Sequence, residues 1–409
     1  MSRIIFVLIL ILLIDVYAYQ AFRLLWQNAT ASWRLLGQVI YWTIPVMAMI
    51  YTGLAFSGQT EGWGKALTTY IPATIFVLYI SKFLVIPPLL IDDLRRGVQW
   101  MAGFFSDGAP ANTGRSRFLA QAGILLGSLP FVSLTYGMIR NPYRYQLFRK
   151  KVQVPDLPES LEGLKIVQIS DIHSGSFTFR EPVQQAIDMI NAQEADLVFF
   201  TGDLVNDRAQ EMEPFKDMFA NIRSRYGVFS VLGNHDYGDY HNWPSKEAKE
   251  ENFRQLLTTH ADMGWRLLRN EHEKIAVNGE EVAIIGVENY SAHPRFPRHG
   301  DLSRAYQGAE NAALKLLLSH DPSHWQHEVT KAFQDIALTF SGHTHGMQFG
   351  IEIPGFLKWS PVKYVYKQWA GLYTEGRQQL YVNRGLGFLG YPGRVGILPE
   401  ITCLHLTRG

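Results

Sequence analysis

One cysteine, Cys403, is all that this 409-residue chain contains. An intrachain disulfide is therefore excluded, and a cytoplasmic site fits. The chain also lacks any cluster of Lys and Arg interleaved with stacking aromatics on a small domain, so no nucleic-acid binding is expected. It has no internal repeat and no low-complexity tract. Charge is scarce in the long N-terminal stretches and uneven over the whole. Residues 1–151 hold 14 Lys/Arg against 5 Asp/Glu, whereas residues 152–409 hold 24 against 32. A basic part joined to an acidic part suggests different surroundings for each, beneath a formal net charge of only +1.

What the first part has instead is apolar length. Residues 4–14 are an unbroken apolar run that continues past Asp15 toward Trp26, and three further stretches cover residues 35–56, 67–91 and 118–139. Each is close to the roughly 20 residues that a spanning helix needs. Trp26, Trp33, Tyr41, Trp42, Tyr51, Tyr70 and Trp100 gather near their ends, as interfacial belts do. A soluble helical domain with a greasy core is the competing reading, and the near-absence of charge disfavours it. Lys82 is the exception, either snorkelling or facing the bundle interior. A signal peptide with Arg3 as its basic start and Val16-Tyr17-Ala18 as its cleavage site competes for the first run. The three later runs favour an uncleaved anchor. The expectation is an all-α transmembrane region of about four helices over residues 1–139.

Orientation is closely balanced. One side would carry Arg3, Lys65, Arg140, Arg144, Arg149, Lys150 and Lys151, and the other Arg23, Arg34, Arg95, Arg96, Arg115 and Arg117. The densest cluster directly follows the last run, which places the C-terminal part on the cytoplasmic face of a plasma (inner) membrane. A C-terminal reporter active only in the periplasm would refute that placement.

Residues 140–163, with Pro142, Pro155 and Pro158 and no helical or strand period, read as a linker. From 164 to 409 the pattern is α/β. Short apolar runs at 164–169, 197–200 and 228–232 alternate with helical spacing at 181–193 and around 214–223, which argues for a βαβ layout. Further strands are expected at 282–287, 314–318, 336–340, 380–382 and 401–406, with fewer helices between them, so a mixed second sheet is expected.

Five polar motifs stand at the ends of these runs: Asp171-Ile172-His173, Gly202-Asp203, Gly233-Asn234-His235-Asp236, Ser319-His320 and Gly342-His343-Thr344-His345. Strand ends are where open α/β sheets place their sites. Carboxylate, amide and imidazole donors together suit Mn²⁺, Fe or Zn²⁺ and are poor for soft copper. Asp171 and His173 are two apart, as are His343 and His345, so each pair would share a face of a strand. The glycines before Asp203, Asn234 and His343 suit sharp turns that aim a side chain into a pocket. Any one of these residues alone is more often a cap or a core polar group; a lone Gly-Asp is nearly uninformative.

In this order, over roughly residues 164–406, the motifs resemble the signature of the calcineurin-like metallophosphoesterases. The resemblance implies two mixed β-sheets sandwiched between helices. It implies that Asp171, His173 and His345 hold one divalent metal ion, that Asn234, His320 and His343 hold a second, and that Asp203 bridges the two. It further implies that His235 binds no metal and protonates or stabilises the leaving oxygen. Two such ions, with Mn favoured and Fe or Zn as alternatives, would clamp an in-line displacement at phosphorus by hydroxide. Asp236 could orient His235. His324 and His327 rival His320, which is preferred because it directly follows the apolar run 314–318. His241 reads as a loop residue and Asp207 as a turn residue. The family run Gly-His-Thr-His-Gly-Gly-Gln has Met347 here in place of its second Gly, with no ligand lost.

Between the last motif and Asn383-Arg384-Gly385 lies a segment with Phe356, Trp359, Tyr364, Tyr366, Trp369 and Tyr373 among Lys358, Lys363 and Lys367. It reads equally as a lipid-headgroup surface or as a packed cap. Gly393-Arg394 and Pro399-Glu400 resemble the branch of the family that includes transmembrane and exported phosphoesterases. The expected activity is hydrolysis of a phosphodiester, phosphomonoester or pyrophosphate, with a membrane-held substrate such as a UDP-diacylglucosamine as the sharper candidate. A membrane sensor or scaffold with weakened catalysis is the alternative, and the intact ligand set disfavours it. A transporter with an attached hydrolase finds little support in one internal Lys without a paired carboxylate.

Overall fold

The computed structural model describes residues 2–60, 62–104, 113–353 and 355–409. The chain divides into two compact units, Met1–Tyr136 and Gly137–Gly409.

The first unit is built on four helices, α1 (Ser2–Phe22), α2 (Ala31–Phe56), α3 (Lys65–Ala102) and α4 (Thr113–Arg140). All four are long and apolar enough to cross a membrane. Helices suit these runs because lipid offers backbone N–H and C=O groups no partner outside the segment itself. The third helix continues beyond the apolar run at 67–91 through Asp92, Asp93, Arg95 and Arg96, which pair along the helix, Arg95 with Asp92 at 2.8 Å and Arg96 with Asp92 at 3.3 Å. Gly123 and Gly127 on α4 lie where an added Cβ would strike the backbone oxygens of Val85 and Ser81 on α3. Small residues four apart thus let the two backbones approach closely.

Lys82 faces the interior of this unit and forms an ion pair with buried Asp15 of α1. The Tyr79 hydroxyl donates to the same carboxylate at 2.6 Å, and the Tyr41 hydroxyl donates to the Asp15 carbonyl at 2.7 Å. The sequence reading left Lys82 without a carboxylate partner. The structure corrects this, because the partner lies 67 positions away, inside the first apolar run.

The second unit carries two six-stranded mixed sheets. The first runs in the order Gln146–Val154, Glu400–Arg408, Lys165–Ile169, Leu197–Phe200, Val228–Ser230, Arg266–Leu267. The second runs Gly371–Glu375, Gln378–Val382, Leu338–Ser341, Leu314–Leu318, Glu280–Gly286, Glu271–Val277. A shared core of Ile166, Leu197, Phe199 and Phe229 from one sheet and Ile284, Leu316, Leu338 and Phe340 from the other fills the space between them. Helices Arg180–Asn191 and Lys246–Asp262 bury Val183, Ile187, Ile190 and Leu256 against the outer face of the first sheet. Helix Leu302–Tyr306 and Trp325 cover the second. The result is the expected pair of mixed sheets between helices.

Residues 140–163 hold more structure than a linker. Gln146–Val154 is an edge strand, paired in parallel with Glu400–Arg408 over its whole length. Its pattern breaks at Arg149-Lys150-Lys151, which hid it from a search for alternation. Backbone pairing, not a buried face along its full length, holds it in place.

Candidate metal centre

The five motifs leave the C-terminal ends of five strands drawn from both sheets: Lys165–Ile169, Leu197–Phe200, Val228–Ser230, Leu314–Leu318 and Leu338–Ser341. Their side chains meet in two clusters. Donor atoms of Asp171, His173 and His345 lie within 4.8 Å of one another, and so do those of Asp203, His320 and His343. In the first cluster, His173 Nε2 is 3.0 Å from His345 Nε2, and His345 Nε2 is 3.2 Å from Asp171 Oδ1. In the second, His343 Nδ1 is 3.2 Å from His320 Nε2. Asp203 Oδ2 links the two, at 3.5 Å from His173 Nε2 and 3.2 Å from His320 Nε2.

Strand alternation does not produce this convergence, contrary to the reasoning from residues two apart. Asp171, His173, Asp203, His343 and His345 all lie just past their strands with positive φ, between 45° and 70°. Left-handed backbone at a non-glycine residue is uncommon and unfavourable, and such residues gather where a site requires them. The glycines permit the crowding. Gly202 has φ +95°, and a Cβ there would meet the Gly233 nitrogen at 2.6 Å. A Cβ at Gly342 would strike Ser170 Oγ and Asp171 Oδ2. Met347 also has positive φ, at 56°, which accounts for the glycine usual at that place in the family run.

Surrounding groups set the ring tautomers. His320 Nδ1 lies 2.7 Å from the Thr201 carbonyl, so it donates there and leaves Nε2 as the donor atom of the cluster. Tyr366 donates to Asp321 at 3.2 Å and accepts from His343 Nε2 at 2.8 Å, which leaves His343 Nδ1 with its lone pair free. His235 Nδ1 donates to the Asn206 carbonyl at 2.7 Å, leaving Nε2 for the pocket. The Asn234 amide nitrogen donates to the Tyr240 hydroxyl at 3.0 Å, while its buried Oδ1 has no partner among the described residues. A buried acceptor left without a donor is the state a metal ligand needs.

Burial would push the Asp171 and Asp203 carboxyls up, but the neighbouring imidazoles of His345 and His320 more than offset it, and both are held below the usual carboxylate range. Burial pushes His173 and His343 down, toward the neutral ring. Burial would push His320 down as well, but the Asp203 carboxylate more than offsets it and raises it to about 10, so this ring would give up a proton on binding an ion. Ionised carboxylates beside the neutral rings of His173 and His343 are donors that fit divalent metal ions.

Asp236 serves a different end from the one expected. Its carboxylate accepts the backbone N–H groups of Asp203, Leu204 and Gly233 at 2.8–2.9 Å. Burial, together with the Asp203 charge, pushes it up to about 7. It fastens two loops of the site together, while His235 is oriented by Asn206 instead.

A cavity of about 370 Å³ opens onto His173, Asp203, Asn234, His235, His343 and His345. Arg295, Phe296 and Tyr240 line it too, and sequence reasoning did not single them out. Arg295 and Phe296 sit outside every motif, and a cation beside an aromatic in a loop gave no periodic signal. His324 is held by Ser319 at 2.9 Å and Glu328 at 3.1 Å, and His327 by Tyr290 at 2.8 Å, so neither joins the clusters. His241 packs against Trp243 with ring centroids 4.6 Å apart.

The segment after the last motif divides. Tyr366 and Trp369 are buried beneath the site, whereas Phe356 and Tyr364 are exposed. Arg394 is fully buried and donates to the carbonyls of Arg384, Gly385 and Gly387, beside His345. Glu400 pairs with Arg384 and accepts from Tyr381 at 2.7 Å.

Comparison with known proteins adds matches to family models and to three relatives. Residues 164–347 match the family model described as "Calcineurin-like phosphoesterase", and residues 1–142 match "Probable Calcineurin-like phosphoesterase, transmembrane domain". The chain is 30% identical over 287 residues to a transmembrane protein with metallophosphoesterase domain from Danio rerio, covering 68% of this chain and 61% of that one. It thus spans about three fifths of that relative's length. It is 30% identical over 276 residues to an uncharacterized metallophosphoesterase of Campylobacter jejuni, covering 67% of each. It is 24% identical over 305 residues to the UDP-2,3-diacylglucosamine pyrophosphatase of Chlamydia trachomatis, covering 63% of this chain and 88% of that one.

Proposed function

Because this chain belongs to the calcineurin-like phosphoesterases, as a membrane-associated metal-dependent phosphoric ester hydrolase, we propose that its two clusters act as one dinuclear site on a membrane-held phosphate ester or pyrophosphate. Asp171, His173 and His345 hold one divalent ion, Asn234, His320 and His343 hold the other, and Asp203 lies between them. The observation that carries this reading is the Asp203 carboxylate oxygen, within 3.5 Å of an imidazole from each cluster. The donor set favours Mn²⁺, with Fe or Zn²⁺ as alternatives. When bound, such ions polarise phosphoryl oxygens and make an attacking water more acidic.

The chain's own groups do the rest. His235, oriented through Nδ1 by the Asn206 carbonyl, presents Nε2, which in the imidazolium form carries a proton for the leaving oxygen and keeps Nδ1–H on Asn206 afterwards. Asp236 keeps the Asp203 and Asn234 loops in register through their backbone N–H groups. Arg295 places a positive charge on the pocket wall, where a phosphate oxygen would face it.

Two features support a lipid-linked substrate: four helices able to cross a membrane, and similarity to a pyrophosphatase whose name specifies a diacylglucosamine nucleotide. The basic cluster Arg140, Arg144, Arg149, Lys150 and Lys151 supports a catalytic unit on the cytoplasmic face. The test is metal analysis of the detergent-solubilised chain together with a panel of lipid pyrophosphates, diesters and monoesters. Two metal equivalents and faster turnover of a lipid pyrophosphate are expected. Equal turnover of soluble and lipid-linked substrates would remove the lipid preference, and a single equivalent would remove the dinuclear site.

A further inference from the structure

One element of the C-terminal unit has the polarity of a water-facing surface reversed. Ile351–Ile353 and Leu357–Trp359 pair as a separate antiparallel hairpin, with Ile351 opposite Trp359, Glu352 opposite Lys358 and Ile353 opposite Leu357. Alternation puts Glu352 and Lys358 on one face and the apolar residues on the other. On a solvated sheet the apolar face turns inward. Here the charged face does so. Glu352 pairs with buried Arg384 at 2.6 Å, and the Lys358 ammonium donates to the Ala370 carbonyl and lies 4.9 Å from the Trp369 ring centroid. Ile351 and Ile353 are each 48% exposed, and Phe356 at the tip is 83% exposed. Nearby, exposed Tyr364 stands between exposed Lys363 and Lys367.

We propose that this hairpin dips into the headgroup and upper acyl region of a lipid bilayer, the membrane in which the chain's own helices are anchored. Outward apolar side chains flanked by Tyr and Lys are the composition of an interfacial surface. Apolar side chains exposed together on one hairpin call for a cover, and the chain's own four helices imply a bilayer. The last spanning helix ends at Arg140 and the first strand begins at Gln146. The hairpin is also continuous with the metal-site loops. The Ser360 hydroxyl donates to the Gly346 carbonyl at 2.8 Å, and Tyr366 touches His343. The proposal rests on the spans and on the hairpin's polarity, and it holds whether or not the substrate is lipid-linked.

The test labels the full chain, reconstituted in phospholipid vesicles, with an environment-sensitive dye at Phe356→Cys. The native Cys403 is buried, so the parent chain serves as the unlabelled control. Lys246→Cys, at a side chain 84% exposed, is the solvated reference. Lipids brominated on the upper acyl chain are expected to quench the Phe356 label several-fold more than the Lys246 label. Turnover of a soluble aryl phosphodiester is expected to stay at the parent level, showing an intact fold. A Phe356 label quenched no more than the Lys246 label overturns the proposal, whether the hairpin is then solvated or covered by a second copy of the chain.

Discussion

His235→Ala separates proton transfer from metal binding at this site. The substitution removes an imidazole that lines the pocket and is held through Nδ1 by the Asn206 carbonyl at 2.7 Å. It leaves the backbone N–H of residue 235, which donates to Asp203 Oδ1 at 2.9 Å, so the hold on Asp203 survives. A positioned acid contributes about 10²–10⁴-fold, or roughly 2.7–5.4 kcal/mol of barrier. The full loss is expected only when the leaving group needs a proton. The assay compares kcat for a phosphodiester with an alkoxide leaving group against one with a nitrophenolate, in parent and variant, alongside metal content. The alkyl ester should slow by the full factor and the aryl ester by far less, with metal stoichiometry unchanged. Equal losses on both esters would show that His235 stabilises charge instead of donating a proton. Loss of metal would show that it is a ligand.

Asp203→Ala should release metal from both clusters, because its Oδ2 lies between His173 and His320; retention of two equivalents by elemental analysis would contradict the bridging role. Arg295→Ala should raise KM several-fold with a smaller change in kcat, as expected for a pocket cation that binds substrate and transition state alike. Burial would raise the Glu400 carboxyl, but Arg384 more than offsets it and the group is held below its usual value. The stability it contributes is therefore complete above the unfolded value near ~4.3 and is lost as pH falls through and below it. The gap in Tm between the parent and Glu400→Gln should be wide at neutral pH and close on acidification; a gap independent of pH would contradict the sign. Lys82→Met leaves Asp15 buried and unpaired, which should cost about 3–5 kcal/mol. Adding Asp15→Asn should recover part of that, as read by unfolding in detergent; a single variant as stable as the parent would refute the buried pair.

Legibility followed how local each cause is. The run 314–318 is apolar at every position but Lys315 and its strand is buried on both faces, so composition alone located it. The spanning helices were legible for the same reason. The edge strand Gln146–Val154 was not, because its partner Glu400–Arg408 lies at the far end of the chain and only pairing defines it. The site shows the same division. Motif order picked out residues that the structure brings together, yet their convergence depends on left-handed backbone at Asp171, His173, Asp203, His343 and His345, a conformation that no side-chain period encodes. Asp236 sits beside His235 in sequence and serves the backbone of residues 203, 204 and 233 instead, since a carboxylate within reach of several buried N–H groups is better used there than on one ring nitrogen. Glu352 and Lys358 make the point most sharply. Read alone they mark a solvated hairpin, and only the positions of Arg384 and Ala370 reveal that the charged face is the inner one.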